Sequence, residues 1–90
     1  MKTITKKIVP EWFEAIASGK KDYELRLADF DIEDGDTLRL EEWAGEGEKR
    51  KVTGRVLEKK VTHVRKVDLD AWIQQQPELM QKGFYVIRFK

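Results

Sequence analysis

The sequence predicts an α+β domain: a small, mainly antiparallel β-barrel with about two short helices packed on it. Three observations lead there. Strand and helix periodicities follow one another in the order β-α-β-β-β-α-β. The strand segments are too closely spaced for a doubly wound parallel sheet, which needs a helix between successive strands. Three Trp, four Phe and two Tyr among 90 residues supply the bulk of one packed core, as much as so short a chain builds. Residues 1–90 are therefore expected to form a single domain.

The elements can be justified in turn. Ile4 to Val9 reads as a short entering strand. Pro10 suits the first helical position, where its missing N–H costs nothing, and Phe13, Ile16 and Ala17 keep the spacing of one buried helical face. Gly19 fits the left-handed position past the helix end, which bounds the helix at about 10–18. Asp22 to Leu27 alternates strictly. This sets Tyr23, Leu25 and Leu27 on the expected core face of a strand and Asp22, Glu24 and Arg26 on the other. Phe30 and Ile32 lie in an acidic loop that ends in an Asp34-Gly35 turn. Thr37 to Trp43 is the next strand, with Leu38 and Leu40 inward. Ala44 to Glu48, with two glycines, is a hairpin loop. Lys51 to about Val67 begins with Val52, Gly54 and Val56 on one face and then slips, with Leu57 and Val61 on the other, which predicts a bulge or bend. Asp68 is a candidate N-cap for a second helix through about Gln76, with Leu69, Trp72 and Ile73 as its stripe and Pro77 as its stop. Phe84 to Lys90 closes the fold, with Tyr85, Ile87 and Phe89 together.

Composition limits the function classes. Charged residues make up 39%, yet 18 basic residues stand against 17 acidic ones and the net charge is +1. A protein that grips duplex DNA through phosphates carries a clear basic excess, so any nucleic-acid binding here is local. No cysteine is present, which removes disulfides, thiolate metal sites and cysteine nucleophiles. The single His63 leaves no histidine metal cluster and reads as a surface strand residue. The acidic run from Asp29 to Asp36 fails the spacing of a calcium loop. No metal and no cofactor is expected. The opening residues lack a signal-peptide core, and no stretch approaches the about 20 apolar residues of a membrane span. The expectation is a soluble, cytoplasmic monomer.

The most distinctive segment is Gly19-Lys20-Lys21-Asp22-Tyr23-Glu24-Leu25-Arg26, of the form Gly-x-Lys-x-x-Glu-x-Arg, where a helix gives way to a strand. It resembles the signature of the ASCH superfamily, whose fold is PUA-like. Pro10 to Ile16, the Gly35-Asp36-Thr37-Leu38 turn, Glu42-Trp43 and Gly83 to Ile87 are similar to segments of its small single-domain members. The resemblance implies a cleft facing the motif and a role in binding RNA or in RNA metabolism. Some relatives are enzymes: one small group hydrolyses the acetyl amide of N4-acetylcytidine, and another relative is described as a ribonuclease. In the amidohydrolase group a threonine nucleophile follows the motif lysine by three residues; this chain has Glu24 there.

Residue chemistry fits a nucleotide-sized ligand. Glu24 and Arg26 share a strand face at roughly 6–7 Å between Cα atoms, and Lys21 can swing over the same face. Lys21 and Arg26 offer donors to phosphate, carboxylate or a base carbonyl, while Glu24 accepts from a base amino group or sugar hydroxyl. Trp12, beside the helical stripe, and Trp43, on the face away from Leu38 and Leu40, are candidate stacking residues. Glu42 is expected to pair with Lys21 or Arg26 across strands. The bland alternative is a solvated charged face held by surface ion pairs. Lys49-Arg50-Lys51 and Lys59-Lys60 read as solvated patches, with guidance of a phosphate backbone as their other reading. The favoured expectation is therefore a module whose partner is RNA or a nucleotide-like small molecule, bound by Lys21, Glu24, Arg26, Trp12 and Trp43. The alternative is a hydrolase in which Lys21 and Glu24 are catalytic, with Glu24 as general base in direct hydrolysis.

Overall fold

A computed structural model gives the architecture and describes residues 1–67 and 83–90. Strand β1 (Thr3–Ile8) leads into helix α1 (Pro10–Ala17), followed by β2 (Tyr23–Leu27), β3 (Thr37–Ala44), a 3-10 turn (Gly47–Lys49), the long β4 (Lys51–Val67) and β5 (Phe84–Phe89). The second helix expected over 68–76 lies outside the described residues.

The strands form one mixed sheet in the order β1-β3-β4-β5-β2. Only β1 and β3 run parallel; the other three pairings are antiparallel. The expected barrel is not closed. β1 and β2 are edge strands with no ladder between them, so the sheet is open. β4 is the strand the two halves share. Its first part pairs with β3 through Lys60, and its second part pairs with β5 from Val61 onward. β4 does carry bulges, but on either side of the slip read after Val56: pairing is continuous from Val56 to Lys60, and the register shifts between Glu41 and Trp43 of the β3 pairing and between Val61 and His63 of the β5 pairing. Extra residues on one strand bend and twist it there.

The core follows the periodicities. Ile8 ends β1, Phe13 and Ile16 come from α1, Leu38 and Leu40 from β3, Val61 from β4, and Ile87 and Phe89 from β5. Ala17, expected on the buried face of α1, is exposed. Pro10 opens the helix, and Gly19, at a φ of +82°, leaves it. The acidic loop is anchored rather than loose. Ile32 is buried, Tyr85 donates its hydroxyl hydrogen to the Phe30 carbonyl at 2.7 Å, and the two rings meet edge to face at 5.3 Å. Asp36 is buried and accepts from the backbone N–H groups of Lys2 and Glu33 at 3.0 and 2.9 Å. Those two N–H groups hold its carboxyl below the usual carboxylate range, helped by the Lys2 ammonium and opposed by burial.

The alternation of β2 is correct but its inward face is reversed. Tyr23 and Leu25, expected in the core, are 40% and 55% exposed, whereas Glu24 is 4% exposed. Glu24 tolerates burial because two cations meet it there. Phe84, which opens β5, is half-buried. Among the described residues, no helix is long and apolar enough to cross a membrane.

Candidate functional site

The two edge strands of the open sheet come close enough to be bridged by a side chain. Arg26 on β2 donates from Nη2 to the carbonyl oxygen of Lys7 on β1. Around this seam lies an open cleft of about 450 Å³, within the size range of small-ligand sites, about 300–1,000 Å³. Lys7, Ile8 and Val9 line one side of it, and Tyr23 to Arg26 line the other. Trp12 comes from α1, Lys21 from the turn after it, and Arg50 from the segment leading into β4.

At the centre is Glu24. Its Oε1 accepts from Lys21 Nζ at 2.9 Å and its Oε2 from Arg26 Nε at 2.8 Å. The Lys21 and Arg26 side chains are 14% and 25% exposed, so the trio is a partly buried ion network rather than a solvated surface pair. Each carboxylate oxygen already accepts a charge-assisted hydrogen bond, the stronger kind. Glu24 therefore fixes the two cations in place. Lys21 Nζ also lies 4.5 Å from the centroid of the Trp12 ring and 5.4 Å from that of Tyr23, within cation–π range. Trp12 remains 46% exposed.

Lys21, Glu24, Arg26 and Trp12 are thus brought together. Trp43 is not among the cleft-lining residues. Its ring lies under Lys7 Nζ at 4.0 Å, and its indole N–H has no partner among the described residues. Lys7, Val9, Leu25 and Arg50 line the cleft but were not chosen from sequence. Leu25 was assigned to the core by alternation, and Arg50 lay within an ordinary basic run. Among the described residues the cleft has four basic side chains and one acidic one, a net of three positive charges, on a chain whose net charge is +1.

Glu42 does not pair with Lys21 or Arg26. It is buried beneath the β3–β4 hairpin and accepts from Arg55 Nε at 2.9 Å and Nη2 at 2.6 Å, and from the Thr53 hydroxyl at 2.6 Å. The Arg55 guanidinium first, and then the Thr53 hydroxyl, hold the Glu42 carboxyl down at about 2. Glu42 and then Glu14 push Arg55 still higher than an ordinary guanidinium. Arg55 also pairs with Glu14 and lies 4.3 Å from the Phe13 ring centroid, which clamps α1 to the sheet. The sequence did carry a signal for this network: Glu42 continues the inward series of Leu38 and Leu40, and an inward carboxylate needs a cation from a neighbouring strand. His63, with its side chain 64% exposed, is a surface strand residue near Asp34 at 3.9 Å. Among the described residues, no group of His, Cys, Asp and Glu is arranged to hold a metal ion.

Comparison with known proteins adds three findings. A family model described as a domain of unknown function, DUF3850, matches residues 5–86. An uncharacterized 12.9 kDa protein in the GpA 3' region of Escherichia phage P2 is 37% identical over 68 residues, a match that takes in 76% of this chain and 57% of that protein. The chain thus spans a little over half the length of that curated relative. The crystal structure of the hypothetical protein PH0355 superposes with a TM-score of 0.68 at 20% identity, covering 100% of this chain and 98% of that one. At that identity the likeness is one of fold.

Proposed function

This chain belongs to the DUF3850 family, and we propose that it is an ASCH-type, PUA-like module that holds a nucleotide, free or within RNA, in the cleft between β1 and β2. The observation that carries this reading is the convergence of Lys21, Glu24 and Arg26 on an open cleft beside an exposed tryptophan. Partly buried, oriented donors beside an aromatic face suit a base and its sugar better than a bare polyanion, which needs only positive charge. The PUA-like assignment draws on the Gly19-x-Lys21-x-x-Glu24-x-Arg26 pattern. The open sheet is in keeping with it if β1 and β2 are taken as the unzipped seam of a barrel.

Glu24 with both oxygens occupied supports a holding role over a general-base role. The test is a titration of the protein with ribonucleosides, ribonucleotides and short RNAs. Lys21→Ala is expected to weaken binding of whichever probe binds by about tenfold or more, the value of a charge-assisted hydrogen bond, with the fold retained by circular dichroism. Unchanged affinity in both Lys21→Ala and Glu24→Gln would refute the assignment of the site. Turnover of N4-acetylcytidine or RNA that vanishes in Glu24→Gln would replace binding with hydrolysis.

A further inference from the structure

We propose that the ligand of this cleft carries a phosphate group, that Arg50 together with Lys7 receives it, and that Lys21, Glu24 and Arg26 face the base and sugar. The inference rests on the nucleotide reading above and assigns its anionic part. The four cations of the cleft fall into two pairs. Lys21 and Arg26 are both committed to the one carboxylate of Glu24. Lys7 and Arg50 line the same cleft and form no ion pair among the described residues; the Lys7 ammonium rests over the Trp43 ring, a contact that leaves its charge without a counter-ion there.

Arg50 is held where a receptor for an anion belongs. It follows the 3-10 turn Gly47–Lys49, its own N–H donates to the Gly47 carbonyl at 3.2 Å, and its side chain is exposed at the cleft. A guanidinium is a flat, forked donor that matches two phosphate oxygens at once. The cleft also has an apolar wall. Among the described residues six large apolar side chains are exposed, and four of them, Val9, Trp12, Tyr23 and Leu25, line this one cleft. Apolar surface gathered at one place marks a binding site. An unpaired guanidinium beside such a wall suits a ligand with a flat apolar part and an anionic part.

The charge distribution limits how much anion it takes. The cleft carries a net of three positive charges on a chain of +1, so the rest of the chain has no basic excess of the kind that grips a long phosphate backbone. The shared chemistry is one phosphate-bearing nucleotide, either a free nucleotide or a single residue of an RNA strand.

The experiment is calorimetric titration with the four ribonucleosides, their 5'-monophosphates, and oligoribonucleotides of increasing length. At least one monophosphate is expected to bind about 10- to 100-fold more tightly than its nucleoside, the range of a charge-assisted hydrogen bond. Arg50→Ala should abolish that advantage. Lys49→Ala, next to it in sequence but not lining the cleft, should leave it intact. A free nucleotide as the source predicts equal affinity for monophosphate and oligomers; an RNA source predicts a gain over the first few residues and then a plateau. Both outcomes support the proposal. Equal affinity for nucleoside and monophosphate, an equal loss in Arg50→Ala and Lys49→Ala, or affinity that climbs with every added residue would each overturn it while leaving nucleotide binding intact. Binding of no probe at all would overturn both.

Discussion

Arg26 and Lys7 join the two edges of the open sheet: the Arg26 guanidinium, already bonded to Glu24, donates to the main-chain carbonyl of Lys7. No backbone ladder joins β1 to β2, so this side chain stands where a barrel would have strand pairing. Arg26→Ala removes both bonds and leaves Glu24 with one cation. It is expected to destabilise the domain by about 1.5–3 kcal/mol, the value of a hydrogen bond to a charged group. Arg26→Lys keeps the charge but not the fork, and should recover about half. Urea denaturation of the two variants measures the difference, and equal stability in both would show that the retained charge contributes nothing at the seam and that the forked guanidinium is what counts.

Trp12 and Trp43 separate cleanly by position. Trp12 lines the cleft with 46% of its surface exposed, while Trp43 lies under Lys7 outside the lining. For a nucleotide that binds, Trp12→Ala should cost about 1–3 kcal/mol of affinity, the range for one base on one aromatic ring. Trp43→Phe should leave affinity near that of the unmodified protein. Ligand-induced changes in tryptophan fluorescence should persist in Trp43→Phe and fade in Trp12→Phe.

How far the sequence reveals this fold depends on where each residue's partner lies. α1 is legible because its signals are local: Pro10 opens it and Gly19 leaves it. The bulged course of β4 is legible because a break in alternation is written in the strand itself, though the positions of the bulges are not. The polarity of β2 is not, since alternation gives two faces and no rule for which is inside; here Lys21 and Arg26 make it possible to bury Glu24. The parallel pairing of β1 with β3 and the missing closure at the seam are set by the path of the whole chain. Of the site, the Lys21–Glu24–Arg26 cluster and Trp12 were visible. Arg50 and Lys7 were not, because nothing local distinguishes a lysine or arginine at a cleft from one on an open surface.

Acid should act on the Glu42–Arg55 pair. The Glu42 carboxyl sits at about 2, against an ordinary value of 4.5. A carboxyl lowered in the folded state stabilises that state fully above its unfolded value, and the contribution is lost as pH falls through the folded value. The melting temperature should therefore fall between about pH 4.5 and pH 2. Glu42→Gln should be less stable at neutral pH and show a shallower acid decline. Asp36, also lowered, acts with the same sign, so a residual slope remains. Thermal melts of both proteins across this range test the assignment; parallel curves would contradict it.

Gly45 is needed for close approach as well as for its backbone angle. Its φ is +102°, and a Cβ there would lie 2.7 Å from the Lys49 carbonyl oxygen. Gly45→Ala should destabilise the domain by about 1–3 kcal/mol, the cost of a sparsely populated backbone conformation, and the clash adds to it. Gly47, at +55° with nothing within 4 Å, lies in the left-handed region that ordinary residues enter at about 1–2 kcal/mol. Gly47→Ala is therefore the milder change. The Gly45 substitution should also reduce nucleotide affinity, because the turn it distorts delivers Arg50. Denaturation and titration of the two variants together separate the effects.

The division of β4 between two partners determines when the cleft can exist. Its first part pairs with β3 and its second with β5, and β1 and β2 lie at the outer margins, through pairings as distant in sequence as Thr3 with Thr37 and Tyr23 with Arg88. Contacts this remote carry a loop-closure cost that the rest of the fold must offset. The binding surface is thus a product of the completed topology, and no single hairpin of the chain would present it. A ligand held across the seam would bind the finished fold alone, and its concentration would shift the folding equilibrium of every strand at once.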